Sequence, residues 1–287
     1  MLNKFTLLIV LLSVTLFYSC DDARVHDKKE WKQQFDKYQI KDACIIIKDQ
    51  THEIVDYYNL NRCRQRFTPA STFKILNSLV ALETNTIPDE TYTILWDGVK
   101  RRAEWDTSMN MRKAFEVSNL FYYQQIAKKI GQVKLQTYLD TCQYGNKKIE
   151  GAVDSFWIDG SLTISADEQL GFIKKLYFNQ LPFSERTQRI VRSMMLREQT
   201  KHSKLSFKTG WGYHDDKEIL WVVGYAEYIM NVKEHPNAMN KSNERNYPYF
   251  FAMNFDIPKG DTTKDWRSIR IELVKAFIDN YFKKLDK

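Results

Sequence analysis

The chain has 287 residues, of which 43% are hydrophobic and 14% aromatic, enough apolar side chains for a substantial buried core. Its formal net charge of +7 is spread among acidic residues, and no segment carries a one-sided basic stripe with interleaved aromatics. This distribution excludes an extended nucleic-acid-binding surface.

Residues 1–19 have the features of a signal peptide. Lys4 precedes an apolar run over residues 5–17, which is shorter than the roughly 20 residues that a membrane-spanning helix needs. A small residue then precedes Cys20, as in a lipobox, where the thiol is acylated after cleavage. We therefore expect an exported lipoprotein in the periplasm of a Gram-negative bacterium, which contacts a membrane only through its lipid anchor.

Two strands begin the folded part, at residues 43–49 and 53–58, where β-branched and aromatic residues are bounded by polar turns. Cys44 and Cys63 flank this hairpin, and export would permit a disulfide between them. Cys142 near the end of a predicted helix is expected to be a small buried hydrophobe. No CxxC or HxxxH spacing indicates a metal site.

Helices follow in the middle of the chain. After Pro69, the segment STFKILNSLVALET is apolar on nearly every side, which predicts a buried helix with Ser71 at its N-terminus. Residues 109–138 predict two or three amphipathic helices, and Ser165 with Glu168 has capping-box spacing at the start of another.

Aromatic-rich segments after Lys204 predict three more strands, and the apolar face of DWRSIRIELVKAFIDNYFKKL predicts a long C-terminal helix. Residues 231–247 are polar and Asn-rich and predict a long hairpin loop. The expected fold class is α+β: a central antiparallel sheet flanked by helices, with a helical subdomain inserted at about residues 85–200. Residues 20–38 are assigned to an N-terminal tether and residues 39–287 to a single domain.

Ser71 and Lys74 lie three residues apart, which places them on neighbouring positions of one helical face. A serine hydroxyl needs a base to become a nucleophile, and a lysine can serve only if burial lowers its pKa toward neutrality. The apolar neighbours Phe73 and Ile75 supply that burial. An SxxK spacing occurs by chance about once in a chain of this length, so an ordinary buried helix is the alternative.

Two further motifs follow in order. Ser118 could relay a proton between Lys74 and a substrate nitrogen, or could be only a helix N-cap. Further on, Lys208 supplies positive potential, Thr209 a hydroxyl for a carboxylate, and Gly210 a close approach of backbone to ligand, unless these residues form a plain edge-strand turn. SxxK, a serine-containing turn and KTG in this order are the signature of penicillin-recognising serine enzymes.

The chain resembles the class D, oxacillinase-type serine β-lactamases through PASTFK at 69–74, YGN at 144–146, SFWIDGSL at 155–162 and FKTGW at 207–211. The resemblance runs from about residue 43 to the C-terminus. It implies a fold like that of the β-lactamases and penicillin-binding transpeptidases. It also implies hydrolysis of the β-lactam amide of penicillins, and hence antibiotic resistance.

In that family the lysine of the STFK motif reacts with carbon dioxide, and the resulting N-carboxylated lysine is the base for acylation and deacylation of the serine. The resemblance gives this role to Lys74, with Ser71 as the acylated residue. Carbon dioxide or bicarbonate is the only additional reactant expected, with no metal and no other cofactor.

The resemblance carries over further roles. Trp157, in the FWxxG segment, would donate a hydrogen bond to the carbamate. The backbone N–H groups of Ser71 and Trp211 would form the oxyanion hole. Arg267 best matches the arginine that binds the substrate carboxylate, with Arg270 as the alternative.

Two departures from the family pattern stand out. Leu120 occupies the position of a valine that lies over the modified lysine, and its bulk could alter carbamate stability or water access. The predicted loop at 231–247 is longer than is usual in the family. The YGN turn is expected to shape the border of the site, and residues 212–218 to influence which β-lactams fit.

Three other functions use the same motifs. A β-lactam sensor domain would be acylated without turnover, but such receptors also carry transmembrane helices and an HExxH protease motif. A cell-wall transpeptidase or carboxypeptidase would lack the FWxxG pocket. A non-catalytic lipoprotein would bind wall fragments without hydrolysis. The oligomeric state stays open.

Overall fold

The structure is a computed structural model that describes residues 24–214, 216–231 and 244–285. The predicted signal peptide, Cys20 and most of the predicted loop at 231–247 lie outside these ranges. Among the described helices, none combines the length and the apolar character needed to cross a membrane.

The strands of the described chain are β1 Val25–Asp27, β2 Ala43–Asp49, β3 Ile54–Tyr58, β4 Arg66–Phe67, β5 Thr93–Ile94, β6 Met109–Asn110, β7 Ile164–Ser165, β8 Leu196–Gln199, β9 Ser203–His214, β10 Lys217–Asn231 and β11 Glu244–Pro258. The α-helices are α1 Lys32–Asp36, α2 Leu60–Arg64, α3 Lys74–Glu83, α4 Met111–Glu116, α5 Leu120–Ile130, α6 Gln132–Cys142, α7 Ala166–Tyr177, α8 Glu185–Met195 and α9 Trp266–Leu285. A 3₁₀ turn, Ala70–Phe73, runs directly into α3.

The central sheet has the strand order β1-β3-β2-β11-β10-β9-β8. Its pairs are antiparallel except that of β1 with β3, which is parallel. Along β10, Trp221 and Val223 enter one hydrophobic cluster, while Leu220 and Val222 enter another on the opposite face. Because both faces are covered, this strand is an almost continuous apolar run in the sequence.

Helices cover both faces of the sheet. The cluster that contains Trp221 includes side chains of α3 and of α4 to α8. Helices α4 to α8 lie within residues 85–200, the range assigned to a helical subdomain. On the other face, Phe277 of α9 packs against Phe35 of α1, with ring centroids 5.6 Å apart. This arrangement confirms the predicted α+β class, with one parallel strand added at the sheet edge.

The assignment of residues 20–38 to a tether is wrong for the part that the structure describes. β1 pairs with β3, and Phe35 is 1% exposed and stacks on Tyr58 at a centroid distance of 5.5 Å. The polar sequence around Phe35 gave no sign of this burial because its partners lie in β3 and α9, far along the chain.

The disulfide that export would permit is not formed in this structure, in which Cys44 and Cys63 are buried free thiols. The Cys63 thiol lies 3.6 Å from the Tyr58 carbonyl oxygen, to which it donates, and a hydrogen bond with Cys44 together with burial raises its pKa. Hydrogen bonds therefore satisfy the neutral thiols without a covalent bond.

Both ends of the segment 231–247, predicted as a loop, belong to strands. The ladder of β10 and β11 extends through the pairs Tyr228 with Tyr247 and Asn231 with Glu244, so residues 231 and 244–247 belong to strands. The polar residues there suggested a loop, whereas pairing at the end of a long hairpin extends the strands into that segment.

Candidate active site

Ser71 lies in the 3₁₀ turn that precedes α3, against the sheet. The sequence predicted an α-helix beginning at this residue, but the tighter 3₁₀ turn comes first. The Ala70 N–H donates to the Trp157 carbonyl oxygen at 3.0 Å. Ala70 adopts a positive φ of 49°, which is uncommon for a residue with a Cβ and occurs frequently near functional sites.

Lys74 has the environment that its proposed chemistry requires. Its Nζ donates to the Oγ of Ser71 at 2.6 Å, and the residue is 1% exposed. Burial, and secondarily the charge of Arg102, lower the pKa of Lys74 from 10.5 to about 7. Near neutral pH a substantial fraction of the amine is therefore unprotonated and can accept the serine proton.

Ser118 lies between the two lysines of the site. Its Oγ accepts from the Nζ of Lys208 at 3.0 Å, and the Nζ of Lys74 is 3.5 Å away. The N-cap of α5 is Asn119, whose side chain accepts from the Tyr122 N–H, so Ser118 is not the cap. Ser118 has a φ of 60°, which lies in the left-handed region, outside regular helix geometry.

Lys208 on β9 is 1% exposed, and burial together with the charge of Lys74 lowers its pKa well below 10.5. Hydrogen bonds thus connect Ser71 to Lys74, Lys74 to Ser118 and Ser118 to Lys208. The three motifs, which lie far apart in the sequence, meet in one hydrogen-bonded path.

Gly210 permits a close approach between β9 and the turn that carries Ser71. A Cβ at this position would lie 2.9 Å from the Pro69 carbonyl oxygen and 3.1 Å from the Thr72 Cγ2. Gly210 also lines the cavity in front of Ser71, so this structural role stands beside the predicted approach of backbone to ligand. It lets β9 pack directly on the turn that carries Ser71.

A cavity of about 410 Å³ opens in front of Ser71. Its lining includes most of the residues predicted to bind substrate, namely Leu120, Thr209, Gly210, Trp211, Arg267 and the alternative Arg270. Ser118 also reaches the cavity, while the buried Lys74 and Lys208 lie behind it.

The two candidate arginines differ in what they contact. Arg270 is buried, and its Nη1 donates to the Gly210 carbonyl oxygen at 2.7 Å. The side chain of Arg267 is 57% exposed and has a carboxylate, Glu104, at 4.0 Å. Because Arg270 is engaged with the backbone of β9, Arg267 is the more accessible of the two to a substrate carboxylate.

Trp157 is fully buried and stacks on Phe73 with ring centroids 5.3 Å apart. Its Nε1 is a buried donor with no hydrogen-bond partner in the described part of the chain. Such donors are rare in folded proteins because an unmade buried hydrogen bond costs about 1–3 kcal/mol.

The YGN turn supports the segment that carries Trp157. Asn146 donates from Nδ2 to the Ser161 carbonyl oxygen at 2.7 Å, and its Oδ1 accepts from the Thr163 N–H at 3.0 Å. Gly145 has a φ of 55°, and a Cβ there would meet the Thr163 carbonyl oxygen at 2.0 Å. These contacts assign the turn a positioning role.

Sequence reasoning missed Arg102, Glu104 and Trp105, which also line the cavity. They belong to the polar segment RRAEW, whose composition is that of an ordinary solvated surface. No spacing or motif could have indicated that this segment folds over the site.

Comparisons with known proteins show the family of the chain. Residues 26–246 match the family model described as penicillin binding protein transpeptidase domain. The β-lactamase OXA-48 of Klebsiella pneumoniae is 36% identical over 87% of this chain and 88% of its own length. A crystal structure of the class D β-lactamase of Sebaldella termitidis is 34% identical and covers 90% of this chain and 97% of that one, with a TM-score of 0.79.

The chain belongs to the class D β-lactamases. A second class D structure, from Bacillus subtilis, covers 87% of this chain and 95% of its own, at 33% identity and a TM-score of 0.72. Membership of this family makes the protein a serine β-lactamase with a penicillin-binding transpeptidase-like fold.

Proposed function

We propose that this class D β-lactamase hydrolyses the β-lactam amide bond of penicillin-type antibiotics through an acyl-enzyme on Ser71, and thereby confers resistance. The observation that carries the proposal is the 2.6 Å contact between the Nζ of Lys74 and the Oγ of Ser71, at a lysine whose pKa is about 7. The relatives named above, which are β-lactamases, support the same substrate class.

Acylation begins when the base at Lys74 takes the proton of Ser71, whose Oγ attacks the lactam carbonyl carbon. The backbone N–H groups of Ser71 and Trp211 stabilise the negative oxygen. The C–N bond then breaks, and Ser118, hydrogen-bonded to Lys208, relays the proton from the base at Lys74 to the leaving nitrogen, which leaves that base free to accept a proton again. In deacylation, water attacks the ester carbon and gives its proton to the base at Lys74. The ester C–O bond breaks, and the Ser71 oxygen is protonated again.

Carbon dioxide would supply the base in its carboxylated form, since a neutral amine adds carbon dioxide and releases a proton to give a carbamate. The residues of the site fit this group in two ways. Burial makes the neutral form of Lys74 available near pH 7. The buried Nε1 of Trp157 has no partner among the described residues and is a donor suited to a carbamate oxygen.

Substrate binding is assigned to the cavity in front of Ser71. Thr209 and Arg267 line it and would hold the substrate carboxylate through a hydroxyl and a guanidinium. Leu120, at the start of α5 and on the same wall, would limit the space through which the deacylating water enters.

The first test is penicillin turnover as a function of pH and bicarbonate. Because burial lowers the pKa of Lys74 to about 7, the neutral amine becomes scarcer as the pH falls below 7. We expect turnover without added bicarbonate to fall about tenfold for each pH unit below that value, and added bicarbonate to restore part of it. Turnover unaffected by bicarbonate depletion would contradict the carbamate.

The same assay separates the alternative functions. Stoichiometric acylation of Ser71 without turnover would indicate a sensor or a cell-wall enzyme. Binding without acylation would indicate a non-catalytic lipoprotein.

Replacing Trp157 with phenylalanine tests the role of its N–H. Phenylalanine retains the stacking on Phe73 but removes the donor. Because a hydrogen bond to a charged group contributes about 1.5–3 kcal/mol, we expect at least tenfold more bicarbonate to be needed for half-maximal turnover. The matched control is Trp221→Phe, which removes a buried N–H bonded to the Thr68 carbonyl oxygen. This control should lower thermal stability while leaving the bicarbonate midpoint unchanged, and equal midpoints in both variants would refute the role of Trp157.

We also propose that the protein is exported to the periplasm of a Gram-negative bacterium and is lipidated at Cys20. The support is the composition of residues 1–19 and the small residue before Cys20. Incorporation of labelled palmitate, lost on Cys20→Ser, is the expected result, and an unlabelled membrane-free protein would disprove the anchor.

A further inference from the structure

The lining of the cavity contains more arginines than the single one expected to bind a substrate carboxylate. Among the described lining residues are three arginines, Arg102, Arg267 and Arg270, and two glutamates, Glu104 and Glu116. Arg270 is engaged with the Gly210 carbonyl oxygen, as described above. The other two arginines lie on different parts of the fold, Arg102 in the connection between β5 and β6 and Arg267 in the first turn of α9.

Glu104 lies between these two arginines. Its Oε1 is 2.6 Å from the Nη2 of Arg102 and 4.0 Å from the Nη1 of Arg267. Burial lowers the pKa of Arg102, and the positive charge of Arg267 lowers it further. The single carboxylate of Glu104 thus neutralises only one of the two guanidinium groups, which leaves excess positive charge beside it.

The position of Arg102 is set by contacts with the catalytic part of the fold. Its guanidinium lies over the Trp105 ring, 4.5 Å from the centroid. The Nε1 of Trp105 donates to the Val117 carbonyl oxygen at 3.0 Å, immediately before Ser118. Trp105 therefore links Arg102 to the turn that carries Ser118. Arg102 lines the same cavity as Ser71.

We infer that Arg102 is a second carboxylate-binding residue of the substrate site, acting with Arg267, and that Glu104 is an internal counter-ion which the carboxylate of an incoming β-lactam replaces. The inference rests on the proposed function and deepens it by naming a specificity determinant outside the family motifs. The substrates it favours are β-lactams with a free carboxylate.

The exchange is physically accessible because the Glu104 side chain is 46% exposed and that of Arg102 is 36% exposed. Glu104 can turn toward water while the substrate carboxylate takes its place between the guanidinium groups. The described hydrogen-bonded path through Ser71, Lys74, Ser118 and Lys208 does not include either residue. The effect should therefore fall on KM rather than on kcat.

The test compares the purified wild-type enzyme with Arg102→Gln and Glu104→Gln, using benzylpenicillin and its uncharged methyl ester. Arg102→Gln should raise KM for benzylpenicillin about three- to tenfold, and Glu104→Gln should lower it by a similar factor. Neither variant should change KM for the ester, measured as a substrate or, where its turnover is slow, as a competitor of benzylpenicillin. Because Arg102 also lowers the pKa of Lys74, the assays use saturating bicarbonate at about pH 8, above that pKa.

Arg101→Gln is the matched control, since Arg101 is the neighbouring arginine, pairs with Asp97 at 2.7 Å and is absent from the described lining of the cavity. It should leave KM for both compounds unchanged. An equal rise of KM for benzylpenicillin and ester in Arg102→Gln, an unchanged KM, or a rise in Glu104→Gln would overturn the inference while the proposed function stands. Absence of turnover in the wild-type enzyme would instead overturn the proposed function.

Discussion

Replacing Lys74 with methionine is expected to lower penicillin turnover by about 10²–10⁴-fold, the range of a positioned general base, and to abolish the response to bicarbonate. Methionine has a similar length but no amine, so the Oγ of Ser71 loses its 2.6 Å hydrogen bond with the Nζ of Lys74. The measurements are steady-state hydrolysis and mass spectrometry of the acyl-enzyme. Turnover within tenfold of wild type would exclude Lys74 as the base.

The same substitution should leave the fold intact or stabilise it. Burial lowers the pKa of Lys74 from 10.5 to about 7, so the unfolded chain binds this proton more tightly than the folded protein does. As the pH falls from 10.5 toward 7, that difference favours unfolding, and methionine removes it. We expect a Tm at neutral pH that is equal to or above the wild-type value. Lys275→Met, at an exposed lysine paired with Glu198, is the control and should change neither Tm nor turnover appreciably.

Replacing Gly210 with alanine is expected to disturb both the fold and the position of the nucleophile through a single added methyl group. The new Cβ would lie 2.9 Å from the Pro69 carbonyl oxygen and 3.1 Å from the Trp221 Cβ, so β9 and the turn carrying Ser71 must separate. We expect the free energy of unfolding to fall by about 1–3 kcal/mol. Turnover should fall about 100-fold, because a displacement of about 1 Å at reacting groups has that effect.

Gly171→Ala is the matched control for this prediction. Gly171 lies in α7, and a Cβ there would meet nothing within 4 Å. Alanine should stabilise the helix by about 0.5–1 kcal/mol without changing turnover. Denaturant unfolding and hydrolysis rates measured for both variants test the pair. Equal behaviour of the two would show that the contact at Gly210 is unimportant.

Local patterns were enough to predict several elements. The strand at Ala43–Asp49 has the predicted bounds, because its β-branched run is terminated by polar residues on both sides. The long C-terminal helix was predicted from its apolar face, and α7 begins with the predicted capping box of Ser165 and Glu168. In each case the deciding interactions lie within a few residues of one another.

In three other segments the structure differs from what the sequence indicated. Phe35 joins the core only because α9 covers it, and the sequence around it is polar. The thiols of Cys44 and Cys63 are adjacent as expected, but local hydrogen bonding leaves them as free thiols in this structure. The strands β10 and β11 extend into the segment that the sequence indicated as a loop because each strand supplies the other with hydrogen-bond partners.

The sequence by itself determined the chemical groups of the site, since the three-residue spacing of Ser71 and Lys74 brings hydroxyl and amine together on one turn wherever that turn is placed. Only the tertiary structure decided that Lys208 contacts Ser118, that Gly210 packs on the nucleophile turn, and that Arg102 faces the cavity. The physical reason is that burial, a lowered lysine pKa and a close backbone contact arise from residues far apart in the chain. No local pattern specifies those distances.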